Sequence, residues 1–316
     1  MMWKEVFAEP GIRFNLFARL ILVLLIGASF VPPGIMLYLH YHSYGSSWTE
    51  LTDGMNAWVR IVGTMVACLL LLAVASRAAS SLSGERDRQT LDALLTSPLT
   101  SDNILFAKWF GNIVSIRWGW AWLGLIYLVA LSTGGLHPYA FVLLVVSWFV
   151  YAAAVSGIGV WFSLVCRTTL RATIWSLFAT TAAGVGHWVI WMCCMPLLFL
   201  SGNQGSTFYD FQAWVAKFQA GLTPPVAMGV FFSFSAEDLQ GRRMFHPDPE
   251  MLVGYGLAGL VCWSIGATVL WVVTRERFRE VSGRGAVRQP DFPQRVGSMN
   301  SLASSVQSLP SVEPVE

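Results

Sequence analysis

The chain has 316 residues, of which 55% are hydrophobic and 12% charged, and its mean hydropathy is +0.56. Soluble domains carry about 25% charged residues, so a water-soluble globule is excluded, as is disorder for most of the chain. A formal net charge of +2 excludes the strongly basic surface of a nucleic-acid binder.

In chain order, residues 1–8 place Trp3, Val6 and Phe7 on one face with Lys4 and Glu5 opposite, and Pro10-Gly11 ends the run. This is the pattern of a short helix lying on a membrane surface, and it occupies residues 1–15. Crossing a hydrocarbon core of about 30 Å takes roughly 20 mostly apolar residues. Six segments qualify: 17–39, 57–76, 112–133, 140–165, 172–200 and 251–274. The first is not a secretory signal, because its apolar run is too long and Glu5 and Glu9 precede it. Backbone groups in lipid must pair within their own segment, so all six are expected to be helices and the fold all-α. The fifth exceeds the required length and is expected to tilt or to bend near Pro196.

The connections differ in length. Residues 40–56 form one loop on the side opposite the N-terminus, and 134–139 (GGLHPY) a tight turn. Residues 201–250 form a larger segment, within which 218–236 carries no charge but contains Pro224-Pro225. That pair breaks a helix near its middle, so a re-entrant hairpin before the sixth span is expected here. The permease domain then covers 16–279, and 280–316 is expected to be a disordered cytoplasmic tail of Gly, Ser, Pro, Gln and Val.

Sixteen of the twenty Lys and Arg residues fall on the side of the N-terminus, leaving Arg60, Lys217, Arg242 and Arg243 on the other. By the positive-inside rule both termini are cytoplasmic, and the protein is expected in the cell (inner or plasma) membrane as a multi-pass chain.

Candidate chemistry within the spans is sparse. The five cysteines, Cys193-Cys194 included, show neither a disulfide framework nor zinc spacing. His40 and His42 lack a third metal ligand and read as polar anchors at the interface. His187, beside Trp188 and Trp191, either makes a packing hydrogen bond or lines a translocation path. Arg117, which opens a Trp118-x-Trp120-x-Trp122 run, either snorkels to the interface or lines that path; Arg60 is its outer counterpart. Gly157, Gly159, Gly184, Gly186 and the Gly254–Gly259 cluster suit close helix packing. No acid lies inside the six segments, which argues against ion-coupled transport. Neither HExxH nor GxSxG occurs, so no catalytic or metal site is expected and the chain does not read as an enzyme.

The most informative stretch is 84–108, GERDRQTLDALLTSPLTSDNILFAK. Leu91, Leu94 and Leu95 recur at helical spacing opposite Arg86, Asp87, Arg88, Gln89 and Asp92. Ser97-Pro98 stops that helix, and Ser101 or Asp102 is expected to cap a second one through Ile104, Leu105 and Lys108. Pattern alone leaves two readings open: an amphipathic surface helix packed under the bundle, or a docking site for a cytoplasmic partner.

The same stretch resembles the signature of type-2 ATP-binding-cassette (ABC) transporter permeases: Glu-Arg-acid-x-x-Thr-Leu-acid-x-Leu-Leu, Ser/Thr-Pro-Leu-Ser/Thr, acid-x-Ile and a closing Lys. The matching residues are Glu85, Arg86, Asp87, Thr90, Leu91, Asp92, Leu94, Leu95, Ser97, Pro98, Leu99, Thr100, Asp102, Ile104 and Lys108. Six spans, inner termini and a hairpin before the sixth agree with that family over about residues 1–279. The resemblance implies a coupling element seated in a groove of a separate ATPase subunit. Leu91, Leu94, Leu95 and Leu99 would be its apolar anchors, and Glu85, Arg86, Asp87 and Arg88 its charged contacts. No GxxxxGK[ST] occurs, so ATP and Mg would be bound by the partner ATPase and no cofactor by this chain. A second permease subunit, the same or related, and probable export of an unassigned substrate are further implications. The alternative is a non-transporting scaffold that recruits a cytoplasmic protein through the same loop.

Overall fold

The computed structural model describes residues 16–42, 47–90, 100–200, 206–239 and 249–282. Among the described residues there are helices and short connections and no strand. Five helices are long and apolar enough to cross a membrane, and one bent pair makes a sixth. The all-α bundle expected from the sequence is therefore present. Several boundaries differ, each for an identifiable reason.

The first span is two helices, α1 (Leu16–Ser29) and α2 (Val31–His42). Pro32 and Pro33 lie in the first turn of α2 and have no N–H to donate. The Ser29 carbonyl, four residues before Pro33, therefore lacks its helical partner. The Trp58 indole donates to that carbonyl at 2.9 Å, and the Trp122 indole donates to the Ser29 hydroxyl at 3.0 Å. Two tryptophans from elsewhere thus hold the break closed.

The second span, α3 (Trp48–Asp87), is far longer than the expected 57–76. Ser47 caps it, its hydroxyl accepting from the Thr49 amide at 3.2 Å, so most of the expected 40–56 loop is helix. One π turn, Val59–Gly63, interrupts it. The third span is α4 (Ser101–Val114) and α5 (Arg117–Ser132), bent by 47°. At the bend the Ser115 hydroxyl donates to the Asn112 carbonyl at 2.8 Å, a local bond that competes with the helical ladder. The remaining spans are α6 (Pro138–Val165), capped by His137 with Pro138 at its first position, and α7 (Thr169–Leu200), which continues through Pro196.

Helix α8 (Ser206–Leu222) ends at Thr223, where Pro224-Pro225 breaks it at the expected place. The chain then makes a short turn of helix (Pro224–Val226), a π turn (Ala227–Phe231) and four helical residues (Ala236–Leu239). Helix α9 (Pro249–Val281) completes the bundle and passes the expected end of the permease domain at 279. The expected surface helix 1–15 and the tail from residue 283 onward lie outside the described residues.

Helices α3 and α6 form the centre, while α2, α7 and α9 expose most of their apolar side chains. The central crossing is tight because Gly159 has no side chain: a Cβ there would lie 2.4 Å from Ala78 Cβ and 2.8 Å from the Ala75 carbonyl oxygen. Likewise a Cβ on Gly259 of α9 would lie 2.0 Å from the Gly221 carbonyl oxygen of α8. Of the other glycines expected to pack, Gly256 meets Phe232, whereas Gly254 faces open space and Gly186 meets only its own helix. A large core surrounds Met55, Trp58, Ile126, Tyr151, Met228 and Phe232. A smaller one gathers Ala78, Leu82, Ile104, Leu105, Val160, Leu164 and Phe278 beneath the 84–108 stretch.

Candidate coupling site

We call the end of the bundle that carries residues 84–108 the signature end. Here α3 stops when Gln89 adopts φ +58°, a left-handed conformation that ends the helical ladder. The amide and hydroxyl of Thr90 then both donate back to the Glu85 carbonyl, at 3.0 and 3.3 Å.

The last three helical residues of α3 engage three different helices. Glu85 pairs with the Lys108 ammonium of α4, whose side chain is only 1% exposed. The Arg86 guanidinium donates to the carbonyls of Cys166 (2.9 Å) and Leu164 (3.3 Å), at the C-terminal end of α6. The Asp87 carboxylate accepts from the amide (3.3 Å) and hydroxyl (2.5 Å) of Thr169, the first residue of α7. Both charges match the helix ends they meet, a cation on exposed carbonyls and an anion on exposed amides.

Helix α4 begins one residue earlier than expected. Thr100 is the cap, its hydroxyl accepting from the Asn103 amide at 3.3 Å, in place of Ser101 or Asp102. Asp102 accepts instead from Arg275 Nε (2.8 Å) and Nη2 (2.5 Å) and from Arg279 Nη2 (3.0 Å), both on α9. The two bonds from Arg275 form a bidentate pair. Glu85, Arg86, Asp87 and Asp102 together tie the signature stretch to α3, α4, α6, α7 and α9.

Two details of the expected helix–break–helix element are corrected. Arg86 and Asp87 belong to the end of the second span, not to a helix shared with the leucines. Ile104, Leu105 and Lys108 point into the bundle rather than lying on its surface: both apolar side chains are fully buried. Arg88 is exposed. Leu91, Leu94, Leu95, Ser97, Pro98 and Leu99 lie outside the described residues.

The two candidate path residues lie apart from this cluster. Arg117 begins α5 at the bend, beside the exposed Trp118. His187 in α7 meets the end of α8 through Nε2, 3.1 Å from both the Gln219 carbonyl and Thr223 Oγ1. The Trp188 indole donates to Thr223 Oγ1 at 2.7 Å, and the Thr223 hydroxyl donates to the Gln219 carbonyl at 2.9 Å. Neither acceptor has a proton left to offer, so His187 must carry its hydrogen on Nε2. The packing role expected for His187 is met here, through two contacts rather than one.

Sequence reasoning missed a second polar cluster at the opposite end. Asn56, fully buried, donates to the carbonyls of Gly135 (2.7 Å) and Ser233 (2.9 Å). Arg60 donates through Nε to the Ser233 carbonyl (3.2 Å) and pairs with Asp238 through Nη2 (3.0 Å). Asp238 in turn accepts from the Ser235 amide at 2.8 Å while its own amide donates to the Ser235 hydroxyl at 3.3 Å, a capping box. Arg60 is thus an anchor for the segment after Pro224, not a snorkelling side chain. The Ser-x-x-Asp spacing from Ser235 was the available signal; its long-range partners had none.

Among the described residues no group of three or more His, Cys, Asp or Glu side chains could hold a metal ion. A bundle with this many membrane-length apolar helices is a multi-pass membrane protein. Residues 36–187 match the family model described as ABC-2 family transporter protein. Over that stretch, which runs from α2 into α7 and contains the whole of 84–108, the chain belongs to that family and is an ABC-2 type permease. No curated protein matches the chain.

Proposed function

We propose that the chain is the membrane subunit of an ABC exporter, moving its substrate with ATP hydrolysed on a separate ATPase subunit. In this reading the signature end faces the cytoplasm, both termini are cytoplasmic, and two permease subunits in the cell membrane stand over two ATPases. Leu91, Leu94, Leu95 and Leu99 seat in the ATPase groove, Ser97-Pro98 and Thr100 shape the turn that presents them, and Arg88 meets charges at the rim. Glu85, Arg86 and Asp87 hold the base of the element from within. The segment 218–236 enters the membrane from the outer side as a re-entrant hairpin.

The observation that carries this reading is the set of ionic contacts fixing both ends of the signature stretch. A segment that must transmit force needs a stiff base, and contacts to α3, α4, α6, α7 and α9 connect that base to five of the six spans. ATP-driven closure of the ATPases would shift the element, and the bundle follows to the extent that the ATPase binds its two arrangements unequally.

The test is co-purification of the full chain with the ABC ATPases encoded beside its gene. Leu94→Asp and Leu95→Asp are expected to abolish association while leaving thermal unfolding of the isolated permease unchanged. Undiminished association and ATP-dependent activity in both variants would remove the docking assignment.

A further inference from the structure

The N-terminal turn of α7 carries two arginines that the coupling contacts leave unused. Arg167 and Arg171 are both exposed, and neither side chain forms an ion pair among the described residues. The acid bonded to this turn, Asp87, is taken up by Thr169. The helix surface beyond them is apolar and uncovered: Leu170 is 71% exposed, Ile174 57%, Trp175 52% and Phe178 64%. Arg171, Ile174, Trp175 and Phe178 are spaced i, i+3, i+4 and i+7, so they share one face. Along that face Trp175 lies about 6 Å, and Phe178 about 10 Å, deeper than Arg171 at 1.5 Å per residue.

We propose that this face binds an anionic phospholipid. Its phosphate sits between the guanidiniums of Arg167 and Arg171, and its first acyl methylenes lie along Ile174, Trp175 and Phe178. The depths fit the occupant: guanidiniums at the headgroup level, an indole at the interface, and aliphatic and phenyl surface below. Arginine supplies planar, paired donors that match a phosphate better than a point charge does. Charge also separates this occupant from a second copy of the chain. A two-fold contact through this surface would bring four guanidiniums together with no free acid on the face to neutralise them. The inference stands on the membrane location alone and does not depend on the ATPase reading.

The purified full chain in neutral detergent tests it by thermal unfolding with added dioleoylphosphatidylglycerol, dioleoylphosphatidylcholine or inorganic phosphate. Phosphatidylglycerol is expected to raise the midpoint beyond the effect of phosphatidylcholine, and inorganic phosphate to leave it unchanged. In the double variant Arg167→Gln/Arg171→Gln, apparent affinity for phosphatidylglycerol should fall by about tenfold or more. Arg167→Lys/Arg171→Lys should retain most of the preference, and Arg277→Gln, at an exposed arginine paired with Glu280, should retain all of it. A preference that persists in the glutamine variant overturns the proposal, as does an equal response to inorganic phosphate. Efficient cross-linking of Ile174→Cys between copies in native membranes would also overturn it, by showing a second chain on this face.

Discussion

The signature end and the opposite end of the bundle both use charge, but they use it in different surroundings. At the opposite end Asn56 is sealed from solvent, Asp238 nearly so, and the acceptors are mostly backbone carbonyls of turns. At the signature end Asp102 and Arg275 remain 39% and 40% exposed, and the partners are whole side chains on separate helices. Buried, carbonyl-directed bonds fix one geometry, because an unpaired polar group there has no water to turn to. Half-exposed pairs can loosen and re-form with water in attendance. The fixed end therefore holds a turn in place, while the signature end can shift against its neighbours. Lys108 is the exception, a buried charge within the plastic end.

Substitutions can break or sharpen this contrast, and Lys108→Met should have the largest effect. It leaves Glu85 charged and half-sealed, at an expected cost of about 3–5 kcal/mol in denaturant unfolding of the detergent-solubilised protein. Adding Glu85→Leu should recover most of that loss, because the uncompensated charge is gone. Next, Asn56→Ala strands two buried carbonyls at the fixed end and should cost about 1–3 kcal/mol by the same measurement. His187→Ala removes the donor to Gln219 and Thr223, and about 1 kcal/mol is expected, with the α7–α8 contact loosened in hydrogen exchange. Asp102→Asn should change stability by less than about 1 kcal/mol. Raising salt should weaken the wild-type Asp102 pairs and leave the Lys108 and Asn56 effects nearly unchanged. A salt-insensitive Asp102 would dissolve the distinction between the two ends.

The membrane class, the number of spans and the importance of residues 84–108 were legible because they rest on local signals: run length, apolar content and an ordered motif. The span limits were less so. Glu50, Asp53 and Asn56 look like loop residues in a linear reading, yet they lie on α3, where Ser47 provides a cap and Asn56 meets carbonyls 79 and 177 positions away. The bend between α4 and α5 had no proline or glycine to announce it. Within the signature, residue order pointed to Glu85, Asp102 and Lys108 as a group. Their pairing with one another or with Arg275 and Arg279 depends on helix crossing, which no local pattern encodes. The Arg cluster of α9 was read only as a topology signal, although two of its members hold the coupling element's acid.

The two clusters share one helix. Arg60 and Glu85 are 25 residues apart on α3, a separation of about 38 Å along the axis. A rod of that length turns small angles into useful travel: a rotation of about 5° displaces its far end by about 3 Å. The π turn at Val59–Gly63 lies between the rod and its fixed anchorage, and such turns yield more readily than regular helix. Pressure on one tip is thereby delivered to the other as leverage about a compliant pivot, with no need for the intervening side chains to rearrange.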